Sequence, residues 1–417
     1  MRPAAPRRSR PAAPLRSRAT RTAALALILL TLPAAPAHAR SAYAPDPAGA
    51  GECAFPMRRQ IAERPWPLQR LTFDALWART RGAGVRVAVI DSGVDRVNPQ
   101  LAGALDTAAG RDFLDPGGDG THDTVGHGTK VAGLIAARPR AGTGFVGLAP
   151  EATVIPIRQN DGRGAARPAD LARAIDHAVD HGAQVINVSQ DTTAPQSADS
   201  ELARAVGRAV TRAVVVASAG NDGGDGVRRR TYPAAFPGVL AVAASDRNDE
   251  RAAFSQPGDF VGVAAPGVDV VSTVPGSGQC VDDGTSFSAP YVAGVAALLR
   301  AAHPGWTVRE VVWQIQNTAR RSVNGRDDQL GWGVVDPVRA LTHDRETPTA
   351  PVPDPGPPPA PAPRAVPFGL TPTARERDGR IAAYALGVTG LLIAVIAVTA
   401  AVVREAGRRR APGVRPG

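Results

Sequence analysis

Between Val85 and about His343, short apolar runs alternate with segments whose apolar residues recur every three or four positions. Runs of this kind are typical of strands buried on both faces, and the segments between them are typical of amphipathic helices. Because a helix is the usual connection between parallel neighbours, the pattern predicts one α/β domain with a mostly parallel sheet and helices on both faces. The predicted strands are Val85–Ile90, Thr153–Ile157, Gln184–Val188, Ala213–Ala217, Val239–Ala244 and Phe260–Ala264.

Two of the predicted helices carry local signals in addition to their period. One face of the first is formed by Leu171, Ala174, Ile175, Ala178 and Val179, as expected of a helix packed on a sheet. Thr307, followed three positions later by Glu310, forms a capping box at the start of the second.

The stretch from Gly284 to Pro290 (Gly-Thr-Ser-Phe-Ser-Ala-Pro) precedes the apolar run Tyr291 to Leu299. The pattern predicts a helix with Ser286 in its first turn, where the hydroxyl is accessible and backbone N–H groups are free. A nucleophile belongs in such a place, but a serine needs a histidine base and a carboxylate that orients the base.

Both partners precede the serine in the chain. Asp91 ends the apolar run that begins at Val85, so a buried strand delivers its carboxylate into the loop Ser92-Gly93. His127 lies in Gly-His-Gly-Thr, directly before the helical run Lys130 to Ala137. The order Asp, His, Ser is that of one of the known unrelated triads.

At these residues the chain resembles the subtilisin-like serine proteases, whose three signatures match Asp91-Ser92-Gly93, His127-Gly128-Thr129 and Gly284-Thr285-Ser286. More narrowly it resembles the mycosins, the membrane-anchored subtilisin-like proteases of actinobacterial type VII secretion systems. That match rests on the segments 81–85 and 284–294 and on the layout of both ends. The resemblance implies a subtilisin-like three-layer fold and cleavage of peptide bonds by Asp91, His127 and Ser286.

The resemblance also assigns roles around the triad. Asn221 and the backbone N–H of Ser286 would stabilise the oxyanion, although a simple turn before Asp222 is the alternative for Asn221. Ser189, Gln190 and Gly220 would bind substrate. The chain departs from the usual pattern at two places: Gln190-Asp191 replace an apolar residue and glycine, and Lys130 replaces a second histidine. The first departure leaves the specificity pocket open, since Asp191 either contributes to it or only begins a loop, and we expect little catalytic consequence from Lys130.

The net charge of +10 and the pI near 10.8 do not indicate a nucleic-acid partner, because the excess arginines lie before Thr22 and after Val403. Between those ends the chain is close to neutral. The arginine-rich start, the apolar run from Thr22 to Leu32 and the Ala37-His38-Ala39 site predict a signal peptide over 1–39. An uncleaved anchor is the alternative, which the shortness of the apolar run disfavours.

Near the other end, 381–403 is uncharged and about 23 residues long, enough for one membrane-spanning helix. A buried core helix is the alternative. The arginines that follow place the tail 404–417 in the cytoplasm and the catalytic domain outside, at the cell membrane. The proline-rich segment 346–380 is expected to be a linker, because it cannot build a core. The peptidase domain is then 71–345, and 40–70 is an extension that the resemblance predicts to pack on it.

Cys53 and Cys280 are the only cysteines, and an even pair in an exported chain predicts a disulfide, with two free thiols as the alternative. The loop that carries Asp112, Asp115, Asp119 and Asp123 lacks the spacing of a calcium loop, so we expect a solvated loop. No metal site and no cofactor are predicted.

The leading functional hypothesis is a membrane-anchored serine endopeptidase that acts on a protein or peptide substrate and, by resemblance, associates with a type VII secretion membrane complex. The alternative is a structural subunit that stabilises such a complex and whose protease activity is dispensable. A physically intact triad with Asn221 favours retained chemistry, because a purely structural subunit has no need for these four residues.

Overall fold

The structure, a computed structural model, describes residues 53, 55–57, 60–162, 167–344, 346–354 and 372–409. The predicted signal peptide, residues 355–371 of the proline-rich linker and the end of the basic tail from 410 onward lie outside these residues. The described chain contains a seven-stranded sheet and a separate two-stranded one.

The strands of the large sheet are β1 (Arg86–Asp91), β2 (Arg111–Asp112), β3 (Thr153–Arg158), β4 (Val185–Val188), β5 (Val214–Ser218), β6 (Leu240–Ser245) and β7 (Val261–Pro266). This sheet is parallel throughout and has the order β2-β3-β1-β4-β5-β6-β7. All six predicted strands are present, with bounds that shift by one or two residues.

The sequence pattern missed β2 and the antiparallel hairpin formed by β8 (Val270–Thr273) and β9 (Gln279–Asp282). A strand of two residues is too short to show a period. The hairpin carries polar residues in both strands and lies outside the large sheet, so it leaves no apolar run in the sequence.

Helices cover both faces of the large sheet, which confirms the three-layer arrangement. The helices are α1 (Trp66–Gln69), α2 (Phe73–Leu76), α3 (His127–Ala136), α4 (Pro168–Asp180), α5 (Glu201–Ala209), α6 (Thr285–Ala302), α7 (Val308–Thr318), α8 (Pro337–Thr342) and α9 (Ala374–Arg409). Val87 and Val89 of β1 pack in one apolar core with α3 and α6, while Ala88 and Ile90 pack in a second core with α4 and α5. This alternation follows from the two-residue period of a strand. The capping box at Thr307 and Glu310 is confirmed at the start of α7.

The parallel register brings the carboxyl ends of β1, β4 and β5 to one edge of the sheet. Ile90 of β1 is paired with Val188 of β4, and Val188 with Ala217 of β5. The residues that follow these strands therefore meet at that edge, which is the usual place for a site in an open α/β sheet.

The segment before α1 lies along the β8–β9 hairpin. The N–H of Met57 donates to the Ser277 carbonyl at 3.0 Å, and the N–H of Ile61 donates to Gln279 Oε1 at 2.9 Å. Cys53 and Cys280 form a disulfide with their Cα atoms 6.1 Å apart.

Among the described residues, α9 is the one helix long and apolar enough to cross a membrane, with a mean hydropathy of 2.6 over its most apolar window. No residue of α9 is buried against the rest of the described chain. The helix begins before and ends after the predicted span 381–403, because its charged ends are also helical.

Candidate active site

The end of β1 places Asp91 beside the first residue of α3. Asp91 Oδ1 lies 2.7 Å from His127 Nδ1, and the same oxygen accepts the N–H of Ser92 at 2.7 Å. The Asp91 side chain is fully buried, whereas that of His127 is 29% exposed. Because an ionised carboxylate only accepts hydrogen bonds, Nδ1 carries the ring proton and Nε2 is left as the basic atom.

The surroundings of His127 act on its pKa in opposite directions. Burial has the largest single effect and lowers the pKa, but the charge of Asp91 and the hydrogen bond with it act in the opposite direction, and the net pKa is raised. Asp123 adds to the rise and the ammonium group of Lys130 opposes it. The imidazole is therefore a stronger base than that of a free histidine.

Asp123 is a residue of this site that the sequence analysis missed. Its Oδ1 accepts from the N–H of Gly126 at 2.8 Å and from the Ser92 hydroxyl at 2.9 Å. Its Oδ2 accepts from the N–H of Thr129 at 2.9 Å and from the hydroxyl of the same residue. Gly126, which precedes α3, has no side chain with which to cap the helix, so Asp123 supplies the cap.

The prediction that the four aspartates lie in a solvated loop is therefore wrong for two of them. Asp112 and Asp123 are only 3% and 7% exposed, because Asp112 pairs with Arg158 at 2.9 Å and Asp123 caps α3. Sequence spacing alone does not reveal burial of this kind, although Asp-x-x-Gly before a helix is a signal for a carboxylate that caps it. No group of three or more potential metal ligands occurs within the part of the chain that the structure describes.

A glycine in α3 permits the close packing of the helix on the loop after β1. A Cβ added at Gly128 would lie 2.0 Å from the carbonyl oxygen of Gly93, a distance at which backbone atoms would have to move. The Gly-His-Gly pattern thus has a steric cause, because the absence of a side chain at Gly128 lets His127 approach Asp91.

Ser286 is the second residue of α6 and faces the loop after β4. Its hydroxyl donates to the Ser189 carbonyl at 3.1 Å. The ring of the next residue, Phe287, lies 5.4 Å from the His127 ring, measured between centroids. The start of α6 therefore lies against the start of α3, and Ser286 is held at the edge of the sheet where Asp91 ends its strand.

Asn221 follows β5 and is oriented by Thr285. Its Oδ1 accepts from both the N–H and the hydroxyl of Thr285, each at 2.9 Å. Since an N–H group can only donate, this contact settles which end of the amide faces Thr285 and leaves Nδ2 free as a donor. A Cβ at Gly284 would lie 3.6 Å from Nδ2, so this donor is next to the backbone that carries Ser286. The orienting role of Thr285 was not predicted, although the residue lies in the Gly-Thr-Ser motif.

The predicted substrate-binding residues divide into two groups. Ser189 and Gly220 lie at the edge of the sheet that carries Ser286 and Asn221. In contrast, the Gln190 side-chain oxygen accepts a hydrogen bond from the side-chain amide of Gln159. Gly220 has a φ of +101°, and a Cβ on it would lie 3.1 Å from Asp191 Oδ2. Burial, together with the charge of Asp222, raises the pKa of Asp191 to about 6.

The sequence profile of the subtilase family matches residues 82–333, a span that includes every residue described in this candidate active site. The chain belongs to the subtilase family. It is therefore a serine protease of the subtilisin type, as the three motifs predicted, and its seven-stranded parallel sheet with flanking helices confirms the fold expected from that resemblance.

Relatives within this family support the narrower resemblance. Mycosin-1 of Mycolicibacterium smegmatis is 33% identical over 387 residues, which cover 76% of this subtilase and 85% of that protein. Mycosin-4 of Mycobacterium tuberculosis is 37% identical over 386 residues, which cover 83% and 82%. A thermophilic serine proteinase of Bacillus sp. is 39% identical over 273 residues, which cover 65% of each chain. The mycosin matches thus cover more of this subtilase than the 65% covered by the Bacillus proteinase, which supports the narrower resemblance to the mycosins.

Solved structures agree with this placement. A crystal structure of MycP1 from the ESX-1 type VII secretion system is 33% identical and has a TM-score of 0.63, covering 71% of this subtilase and 90% of that chain. A structure of MycP3 from the ESX-3 system is 35% identical with a TM-score of 0.60, covering 68% and 91%.

Proposed function

We propose that Asp91, His127 and Ser286 are the catalytic triad of this serine protease. The observation that carries the proposal is the 2.7 Å contact between Asp91 Oδ1 and His127 Nδ1, because it orients the ring with Nε2 as the base. Ser286, in the first turn of α6, is adjacent through the contact of Phe287 with the His127 ring.

The proposed reaction begins when the Ser286 hydroxyl leaves the Ser189 carbonyl and donates to His127 Nε2. Oγ attacks the peptide carbonyl carbon and Nε2 takes its proton, while Asp91 stabilises the imidazolium. The imidazolium then protonates the leaving amine, and an acyl-enzyme remains on Ser286. A water molecule, deprotonated by the same nitrogen, attacks the ester and releases the second product.

The negative oxygen of the tetrahedral intermediate needs donors that are already in place. Two candidates converge at the start of α6: the Nδ2 group of Asn221 and the backbone N–H of Ser286. Thr285 holds the Asn221 amide with Nδ2 free, so little reorganisation is needed when charge develops. We assign Asn221 and Ser286 to the oxyanion hole on this basis.

For substrate binding we assign the backbone of Ser189 and Gly220, with Gln190 as a neighbour whose side chain supports the loop after β4. An extended peptide can pair with such a loop through main-chain hydrogen bonds.

We further propose the domain layout that the sequence suggested: a signal peptide (1–39), an extension (40–70), the peptidase domain (71–345), a linker (346–380), a spanning helix (381–403) and a cytoplasmic tail (404–417). The exposed apolar helix α9 supports the single span, and the arginines after it support a catalytic domain outside the cell membrane. Protease treatment of intact cells checks the orientation: an epitope after residue 410 should resist digestion, whereas one on the peptidase domain should be removed.

The matches to Mycosin-1 and to MycP1 from a type VII secretion system support association of this protease with such a membrane complex. Complementation of a deletion strain separates catalysis from structure. If secretion requires Ser286, a Ser286→Ala chain will not restore it. Restoration by Ser286→Ala would favour the structural alternative.

Labelling with a fluorophosphonate tests the triad directly. The full chain in detergent should gain one covalent adduct, measured by intact mass, and Ser286→Ala should gain none. Ser288→Ala is the matched control, because Ser288 lies in the same motif but is fully buried and should leave labelling unchanged. A labelled Ser286→Ala chain, or no labelling of the folded native chain, would contradict the assignment.

A further inference from the structure

Asp191 is a charged side chain beside the active site for which the mechanism has no use. It is half-buried, yet it has no hydrogen-bonding or ion-pair partner among the described residues. Nearby aspartates in the same part of the chain do have partners: Asp225 pairs with Arg229 and Asp259 pairs with Arg230, both at 2.5 Å. Partial burial of a carboxylate without a cationic partner costs free energy of folding.

Asp191 lies close to the residues proposed to take part in the reaction. It lies in the loop after β4, two residues after Ser189, whose carbonyl accepts the Ser286 hydroxyl. Its Oδ2 would be 3.1 Å from a Cβ on Gly220, the residue directly before Asn221. The carboxylate therefore lies between the loops after β4 and β5, which carry the proposed nucleophile contact and oxyanion donor.

An apolar group lies beside the Asp191 carboxylate. Thr231 is on the same side of Gly220 as Asp191, since its Cγ2 would be 2.7 Å from the same Cβ on that glycine. The Thr231 hydroxyl donates to the Ala219 carbonyl at 2.8 Å, so the methyl group of Thr231 remains available for packing. Backbone hydrogen bonds of 3.0 and 2.9 Å between Thr192 and Tyr232 join the two segments beyond this point.

The charge around Asp191 is negative. Asp222 adds a second carboxylate, close enough for its charge to raise the pKa of Asp191. The arginines that follow it are committed elsewhere, Arg228 to Asp328 and Arg229 to Asp225. A cation supplied by the substrate matches this negative charge.

We propose that Asp191 determines specificity by selecting substrates with lysine or arginine at the residue whose carbonyl is attacked. That carbonyl oxygen must reach Asn221, so the side chain of the same residue enters beside Gly220, toward the Asp191 carboxylate. An ammonium or guanidinium group at this position donates a charge-assisted hydrogen bond to Asp191 and supplies the cation that this carboxylate lacks. The inference rests on the proposed triad and oxyanion hole.

Peptide aldehydes test the preference for basic side chains without substrate turnover, because an aldehyde bound at Ser286 prevents the fluorophosphonate from labelling that residue. Three aldehydes of one sequence, ending in lysinal, argininal or norleucinal, compete for labelling of the full chain in detergent. We expect the basic aldehydes to protect at concentrations about 10- to 100-fold lower than norleucinal, the range for a hydrogen bond to a charged group. Asp191→Asn should remove this preference and leave protection by norleucinal unchanged.

Asp222→Asn is the matched control, since Asp222 is exposed and should retain most of the preference. Equal protection by all three aldehydes, or a preference that survives in Asp191→Asn, would overturn the inference. Labelling of Asp191→Asn without aldehyde shows that the variant is folded. If the native chain is not labelled, the triad itself is wrong and the inference fails with it, an outcome distinct from labelling without preference.

Discussion

Asp123 Oδ1 accepts the N–H of Gly126 at 2.8 Å, one residue before the proposed base. The helix that carries His127 is thus held at its start by a carboxylate from the preceding loop. The same carboxylate raises the pKa of His127 through its charge, so one residue both positions the base and adjusts it.

Removal of this cap should destabilise the protein and displace the base. We expect Asp123→Ala to lower the free energy of unfolding by about 1–3 kcal/mol, because buried donors at Gly126, Thr129 and Ser92 lose their acceptor. The kcat/KM should fall as well. Urea unfolding followed by tryptophan fluorescence measures the first effect. Asp115→Ala is the control, because Asp115 is an exposed residue of the same loop, and an equal loss in both variants would contradict the capping role.

Thr285 should act on catalysis through Asn221. Loss of the corresponding asparagine donor in subtilisin, a member of the same family, lowers kcat about 10²–10³-fold, and we expect Asn221→Ala to behave similarly here. Thr285→Val removes the hydroxyl that orients the amide but keeps the N–H contact, so kcat should fall by a smaller factor with little change in KM. In the Asn221→Ala background, Thr285→Val should have little further effect on kcat. Additive losses would argue against the orienting role.

The acid limb of kcat/KM should have its midpoint above 6.5, the ordinary pKa of histidine, because Asp91 and Asp123 raise the pKa of His127. The neutral imidazole is the active form, so activity rises as pH increases through this pKa. Lys130 lowers the pKa, and Lys130→Gln should therefore move the midpoint to higher pH, with Lys130→Arg as the charged control. A shift to lower pH would contradict the assigned electrostatics.

The preference for basic aldehydes should itself depend on pH. With its pKa raised to about 6, Asp191 is ionised above that pH and neutral below it, so the ratio of lysinal to norleucinal protection should fall on acidification through about pH 6. Asp222 is the charged group that acts on Asp191 among the described residues, and Asp222→Asn should shift the fall to lower pH. Titration of His127 affects both aldehydes and cancels in the ratio. A ratio that is constant from pH 5 to 8 would exclude Asp191 as its source.

The Cys53–Cys280 disulfide should contribute to stability rather than to chemistry. The bond joins cysteines 227 positions apart, for which chain entropy gives an upper limit of about 5 kcal/mol. We expect the double variant Cys53→Ser, Cys280→Ser to unfold at a lower urea concentration, with fluorophosphonate labelling of the folded protein retained. Reduction of the native chain should reproduce the shift, and unchanged unfolding would contradict a stabilising role.

The candidate triad was accessible from sequence because its signals are local. A buried strand that ends in Asp91 and a serine at a helix start each leave a pattern within about ten residues. The close approach of Gly128 to Gly93 explains why glycine flanks His127 in the motif. The structure brings Asp91 and His127 into contact because α3 begins against the loop after β1, where Gly128 approaches Gly93.

The residues that sequence reasoning missed depend on contacts distant in the chain. Thr285 orients Asn221 across 64 positions, and Asp191 is isolated because the neighbouring arginines pair elsewhere. The Asp123 contact is closer, but its meaning depends on burial, which follows from how α3 packs on β1. Composition and period carry no information on these pairings.

Sequence alone determined the fold class, the chemical class of the protein and the residues proposed for its chemistry, because periodicity and short motifs reflect local backbone geometry and reactivity. Tertiary structure decided which end of the Asn221 amide faces Thr285, that Asp123 caps the helix of the proposed base, and that Asp191 lies beside Gly220 without a cationic partner among the described residues. These features arise from burial and from the directions of individual side chains, and both are set only when distant segments pack together.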